Sequence, residues 1–228
     1  MFRINKKLNG KLGRVGVIET PHGVIETPAF VVVGTKGTVK ALTPEQVKDL
    51  GTQVILANTY HLYLQPGDEK VKKMGGLGKM MNWGGPTMTD SGGFQAFSLG
   101  VAYGEKIGKV TKNPPQPLLY KGGEFKGVDL KLAKITEDGV EFKSIIDGST
   151  HFFTPEKSIE IQHNIGADII FAFDECTSPL ASYEYQKEAM DRTHRWALRS
   201  LESHKQSGEQ ALFGIVQGGR FEDLRKES

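Results

Sequence analysis

One unit of sequence occurs twice and constrains the fold more than any other feature. Thr43-Pro-Glu-Gln46 opens a helix-like stretch that ends at Gly51 and leads into the apolar run Gln53-Val-Ile-Leu-Ala57. Thr154-Pro-Glu-Lys157 opens another that ends at Gly166 and leads into Asp168-Ile-Ile-Phe-Ala172. In both, threonine suits the N-cap and proline sits where a missing N–H costs nothing. Glutamate meets the positive end of the helix, and glycine suits the left-handed residue after the last turn. These are two copies of one α-to-β unit, and their apolar runs have the near-continuous hydrophobicity of buried parallel strands.

Extended along the chain, this pattern gives strands near Phe30–Gly34, Gln53–Asn58, Pro86–Asp90, Asp168–Phe173 and Leu212–Val216. Helices fall near Pro44–Leu50, Asp68–Asn82, Pro155–Ile165 and Tyr183–Gln206. The last carries Ala189, Thr193, Trp196, Ala197 and Leu201 on one stripe for burial. Alternating strands and helices form either a (β/α) barrel or an open doubly wound sheet. No Gly-x-Gly-x-x-Gly follows a strand, and polar clusters sit just after several different strands, which favours the barrel. The expected fold is α/β, a TIM-type barrel of which residues 1–228 supply five βα units of the eight. Gly16-Val-Ile-Glu-Thr-Pro21 and Gly23-Val-Ile-Glu-Thr-Pro28 read as an N-terminal β-hairpin. Residues 104–134, with Asn113-Pro-Pro-Gln-Pro117 and Gly122-Gly123, read as a β-rich insertion with a mobile tip. Hairpin-like pieces follow, turning at Glu137-Asp-Gly139 and Asp147-Gly-Ser149. Arg225-Lys-Glu-Ser228 reads as the first turns of a helix after the fifth strand, an ending that resembles a truncation.

Composition narrows the chemistry. Cys176 is the only cysteine, which excludes disulfides within the chain and any zinc site built from two or more thiolates. His22, His151, His163, His194 and His204 show no ligand spacing with carboxylates or the cysteine, so no metal site is expected. No run approaches the ~18 apolar residues of a membrane span, and the basic start Met1–Lys7 has no apolar stretch behind it. A cytoplasmic protein without membrane contact is expected. A formal net charge of +2 supplies no global field for nucleic acid, although local basic patches stay open. Glycine supplies 28 of 228 residues, about 12% against a usual ~7%, the mark of tight turns or of backbone approached closely by a ligand.

The polar clusters lie after strands two to five. Asp90-Ser-Gly-Gly-Phe-Gln95 offers a carboxylate for general acid or base work, bare backbone at Ser91-Gly-Gly93, and Phe94 as a stacking face for a base. Asp174-Glu-Cys-Thr177 offers a carboxylate able to accept two parallel hydrogen bonds from an amidine-like edge such as that of guanine. Gln217-Gly218-Gly219 pairs an amide with bare backbone, and Asn58-Thr-Tyr-His61 sets four polar side chains in a row. Each also has a plain structural account. The first and third read as turns, Asp174 as a helix cap beside a solvated Glu175 and an inert Cys176, and His61 as a loop-orienting residue. Lys36 and Lys40 read as a solvated face that can also meet phosphate. Four such clusters at successive strand ends converge on one mouth, and that convergence argues for a pocket.

Asp90-Ser-Gly-Gly-Phe-Gln95, Asn58-Thr-Tyr-His-Leu62, Asp147-Gly-Ser149, Ile161-Gln162, Phe173-Asp-Glu-Cys-Thr177 and Phe213-Gly-Ile-Val-Gln-Gly218 together resemble the bacterial tRNA-guanine transglycosylases, also called queuine tRNA-ribosyltransferases. The resemblance runs from the first strand to the last residue except for the insertion. It implies a (β/α)₈ barrel that exchanges guanine at the tRNA wobble position for the queuosine precursor preQ1. It further implies that Asp90 is the general acid/base, that Phe94 stacks on the base, and that Asp174 and Gln217 read its edge. Ser91, Gly92, Gly93 and Gly218 line the pocket by the same analogy, and Cys176 points to preQ1 rather than queuine. Its partners would be tRNA and the free base, and its working state a homodimer.

The resemblance also implies an aspartate nucleophile on a later barrel strand and, later still, a structural zinc held by three cysteines and one histidine. Neither region is present in these 228 residues. Five strands of eight leave two unpaired edges and an interior open to water, so the chain alone is expected to be unstable and inactive. The alternative of a different class is a non-catalytic base- or tRNA-binding partner subunit, or an inactive remnant. The set Asp90, Asp174, Cys176 and Gln217 favours the enzyme, because a scaffold has no need of it. An archaeosine-type transglycosylase is a weaker alternative, and Cys176 speaks against it.

Overall fold

The computed structural model describes residues 2–96 and 133–228. The expected insertion at 104–134 therefore lies outside the described residues except for its last two positions. The strands that organise the molecule are β4 (Val32–Val33), β5 (Ile55–Ala57), β6 (Thr87–Thr89), β10 (Ile169–Phe171) and β11 (Ala211–Phe213). They form one five-stranded sheet, adjacent in chain order and parallel at every pairing. The order runs without the reversal that marks a doubly wound sheet.

Two antiparallel sheets flank it. β1 (Phe2–Lys7), β2 (Arg14–Thr20) and β3 (Gly23–Thr27) form one, and β7 (Ala133–Ile135), β8 (Val140–Lys143) and β9 (Thr150–Phe153) form the other. The first exceeds the expected hairpin by a strand. β1 is exposed at all six positions, so it has no buried face to give it a hydrophobic signature. The turns of the second sheet fall at Glu137–Gly139 and Asp147–Ser149.

The helices are α1 (Pro44–Asp49), α2 (Thr59–Leu64), α3 (Asp68–Lys73), α4 (Leu77–Met81), α5 (Pro155–Ile165), α6 (Tyr183–Ser203) and α7 (Glu222–Glu227). The repeated unit behaves as its residues dictate. Thr43 caps α1 with a reciprocal bond from Gln46, and Thr154 caps α5 through the Lys157 N–H. The single helix expected over Asp68–Asn82 is instead two, α3 and α4. Gly75 and Gly76 both adopt positive φ (90° and 91°) and break it, and Gly76 passes against the Ile165 carbonyl. Thr59-Tyr-His61, read as polar side chains after the second strand with His61 orienting a loop, open α2. None of the described helices is long and apolar enough to cross a membrane.

Polar side chains stitch the sheet to its covering helices. Gln162 on α5 is fully buried, accepts from Phe171 N–H (3.0 Å) and Thr89 Oγ1 (3.1 Å), and donates to Phe171 C=O (2.9 Å). Asp168, just before β10, accepts from the Thr87 N–H (2.8 Å) and hydroxyl (3.2 Å) and pairs with the His22 ring (2.7 Å). One carboxylate thus ties β6, β10 and the β2–β3 turn together at the N-terminal end of the strands. Apolar packing completes the core, with Trp196 of α6 lying 5.0 Å from Phe173, ring to ring.

Replacing Asp168 with alanine leaves the Thr87 N–H buried without an acceptor. We expect a loss of about 2–4 kcal/mol in unfolding free energy. A urea midpoint unchanged from wild type would show that the stitch contributes nothing.

Candidate active site

The four polar clusters meet at the C-terminal ends of the parallel strands. Beyond β5, Asn58 caps α2 without using its side chain there, because that amide donates to Asp90 Oδ2 (2.6 Å). The Thr59 N–H donates to Asp90 Oδ1 (2.7 Å), and the Thr59 hydroxyl donates to the Asp90 carbonyl. Asp90, one residue beyond β6, is therefore gripped on both carboxylate oxygens by the first turn of α2. His61 adjoins it. Burial lowers its pKa, Lys36 lowers it further, and the Asp90 charge opposes both.

Ser91 donates to Asp174 Oδ1 (2.8 Å), and Gln217 Nε2 donates to Asp174 Oδ2 (2.9 Å). Residues expected after the third, fourth and fifth strands are thus in direct contact. Gly93 belongs there for a steric reason, since a Cβ would lie 2.6 Å from the Asp174 carbonyl oxygen. Gly92 adopts φ +81°, and a Cβ there would press on the Phe153 ring at 3.0 Å. Phe94, on the helical turn 93–96, is 40% exposed. Cys176 is partly exposed. At Gly218 a Cβ would meet the α7 backbone at Arg225 N (2.7 Å).

The loop after β10 explains which side chains reach the mouth. Residues 172–178 form no strand or helix, and their odd positions turn to α6. Phe173 N–H donates to Ser200 Oγ (3.1 Å), Glu175 N–H to Thr193 Oγ1 (3.1 Å), and the Thr177 hydroxyl to Gln186 Oε1 (2.7 Å). Asp174, between them, turns to Ser91 and Gln217 instead. Glu175, read from sequence as solvated, is buried. Its carboxylate accepts from Tyr185 and from Arg192, which also binds Glu137 (2.9 Å) and Glu188 (2.6 Å). The sequence reading named none of Tyr185, Gln186 and Arg192. One signal was present: Gln186, Thr193 and Ser200 recur every seven residues, a buried polar face on α6.

Among the described residues, no three His, Cys, Asp or Glu side chains come together in a way that could hold a metal ion. With one cysteine in the sequence, the chain does not fit a site of three cysteines and a histidine. A cavity of about 410 Å³ lies at the other end of the sheet, beside His22, Trp83 and Thr87, away from this cluster.

A family profile described as queuine tRNA-ribosyltransferase matches residues 9–114 and 105–228. The chain belongs to this family. A queuine tRNA-ribosyltransferase of Thermoanaerobacter pseudethanolicus is 51% identical over 226 residues, covering 99% of this chain and 52% of that protein. One of Desulforamulus reducens is 50% identical over 227 residues, 100% of this chain and 53% of the relative. One of Staphylococcus epidermidis is 47% identical over 215 residues, 94% and 49%. The chain spans about half the length of the curated relatives it matches.

In this member of the queuine tRNA-ribosyltransferase family, the Asp174 carboxyl is set apart electrostatically. Burial pushes its pKa up to about 6, and the charges of Asp90 and Glu175 add to the rise against the hydrogen bonds from Ser91 and Gln217. The folded chain therefore holds this proton more tightly than the unfolded chain. Stability falls as pH rises from about 4 through about 6, by on the order of 2–3 kcal/mol in all. Asp174→Asn, which cannot ionise, should melt higher than wild type at pH 8, and the gain should vanish below pH 4. A gain equal at both pH values would rule out ionisation as its cause.

Proposed function

We propose that these 228 residues form the N-terminal part of a tRNA-guanine transglycosylase, a glycosyltransferase that exchanges wobble guanine for preQ1. The observation that carries this reading is the contact of Ser91 and Gln217 with Asp174 beside the gripped Asp90. Guanine and preQ1 share an edge with two adjacent donors, N1–H and N2–H₂, and an ionised carboxylate accepts both in parallel. Asp174 supplies that carboxylate. Gln217 can turn an N–H toward the base carbonyl once the base takes over Asp174 Oδ2. Phe94 supplies the stacking face, and Cys176 with Gly92 and Gly93 the adjoining wall.

Exchange without strand cleavage needs the nucleotide flipped out of its stack, and the base leaves C1′ through an oxocarbenium-like state. Asp90 moves the proton. Its two oxygens are held by Asn58 and Thr59, so its position does not depend on the substrate. The nucleophile that holds the ribose lies, by resemblance, on a later strand. We infer that the parallel sheet is the first five strands of an eight-stranded barrel. Its outer strands β4 and β11 each keep one edge without a partner among the described residues, and Phe30, Val33 and Val216 stand exposed. These 228 residues alone would be inactive, and the complete enzyme a cytoplasmic homodimer.

The test is exchange of radiolabelled guanine into a tRNA with guanine at the wobble position, using the natural gene product. Asp90→Ala should lower the exchange rate by about 10²–10⁴-fold. Asp174→Asn should raise the KM for guanine at least tenfold. A natural gene product no longer than this chain, without exchange but binding guanine, would favour the non-catalytic partner. An Asp90→Ala protein within twofold of wild type would overturn the role given to Asp90.

A further inference from the structure

The Glu175–Arg192 ion pair is an unusual thing to keep. The Glu175 side chain is 0% exposed and that of Arg192 is 8% exposed. A buried ion pair is poor value as a staple, because apolar residues of the same volume often hold a fold equally well. Its placement gives it another use. Glu175 follows Asp174 directly, and the Thr193 hydroxyl holds its N–H, so the pair fixes the stretch of chain from which Asp174 emerges. Arg192 also reaches Glu137 on the β7–β8 turn, and the Trp196 ring N–H donates to the Glu137 carbonyl (2.7 Å). The loop, the helix and the second antiparallel sheet are thereby locked at one guanidinium.

We propose that the Glu175–Arg192 pair is a positioning device for base recognition: it aims Asp174 into the mouth and offsets part of the charge of the second carboxylate that stands beside it. The proposal rests on the reading of Asp174 as the residue that accepts the base edge. The charged and titratable groups around Asp174 come from several elements. Asp90 faces it from the tip of β6, and Glu175 and Cys176 are its neighbours in the loop. Behind Glu175 stand Arg192, Tyr185 and Glu188 on α6 and Glu137 on the β7–β8 turn. His61 and Lys36 lie beyond Asp90. Arg192 is the cation bonded to the neighbouring acid. Without it, Glu175 becomes an uncompensated charge one residue from Asp174, and Asp174 holds its proton to higher pH, when it can no longer accept both donors of guanine.

Two readouts on the natural gene product test this. One is the ¹³C carboxyl titration of Asp174 without ligand, assigned by its loss in Asp174→Asn. The other is the pH dependence of the KM for guanine in the exchange reaction. Arg192→Met should move both midpoints up by about one unit. It should raise the guanine KM several-fold at pH 7 while kcat falls less. Adding Glu175→Gln to Arg192→Met should bring the midpoints back to wild type or below, although the ion pair is still absent. Unmoved midpoints in Arg192→Met, or a uniform loss of kcat at every pH, would overturn the proposal. Should Arg192→Met fail to fold, Glu175→Gln alone decides: its Asp174 midpoint should fall, and an unchanged one overturns the proposal. An Asp174→Asn protein with the wild-type guanine KM would instead overturn the assignment of Asp174 as base reader, and the carboxyl titration would still judge the ion pair.

Discussion

Helix α6 supplies the hydrogen bonds that the loop after β10 cannot find in a sheet. A buried backbone N–H needs an acceptor, and at Phe173 and Glu175 that acceptor is a hydroxyl on the helix, Ser200 or Thr193. With Phe173, Glu175 and Thr177 anchored on the helix, Asp174 between them turns to Ser91 and Gln217. Gln186 extends the arrangement to the next loop. It accepts from Thr177, donates to the Ser178 carbonyl (2.9 Å), and sits where a Cβ on Gly219 would have to go. The loops that carry Asp174 and Gln217 are thus built against the same side chain, and the contact between those two residues follows from it.

The site and the fold make opposite demands on charge. Asp168, at the far end of the strand that leads to Asp174, is buried with donors from Thr87 and His22 around it, and it fastens three elements. Asp174 has donors on both oxygens too, yet burial and the neighbouring acids leave its carboxyl reluctant to ionise. Asp174 has Asp90 across the mouth and Glu175 beside it. A residue meant for a base edge must be left reachable, and that requirement forgoes the dense cage of donors a structural carboxylate enjoys.

Legibility in the sequence followed how local the cause was. Both Thr-Pro-Glu helix starts, the strands they lead to and the glycine stops were readable because capping, φ preference and apolar runs act within a few residues. α5 has the bounds its sequence gives it, Pro155–Ile165. The convergence of Asp90, Ser91, Asp174 and Gln217 was readable because each follows a strand of one parallel sheet. What was missed had distant causes. α2 opens with Thr, Tyr and His, weaker helix formers than the leucines that follow, and its start is secured by Asp90, 31 residues away. Glu175 read as solvated because its partner Arg192 lies 17 residues on, along a helix whose buried stripe was read without Arg192. β1 has no buried face to read.

The repeated unit gains its meaning from this. Each copy delivers a strand whose end faces the same mouth, but the two ends do different work. After the first copy the chain turns at once into α2, and Asn58 and Thr59 at that turn become the grip on Asp90. After the second it forms neither strand nor helix through 172–178, and Asp174 becomes the carboxylate at the mouth. A short helix can offer its first N–H groups to an anion, whereas a loop anchored on a helix at alternate residues can turn the residue between them to the other side. The same α-to-β unit therefore yields a holder in one place and a reader in the other. What decides between them is whether the next residues find their hydrogen bonds within their own helix or on α6.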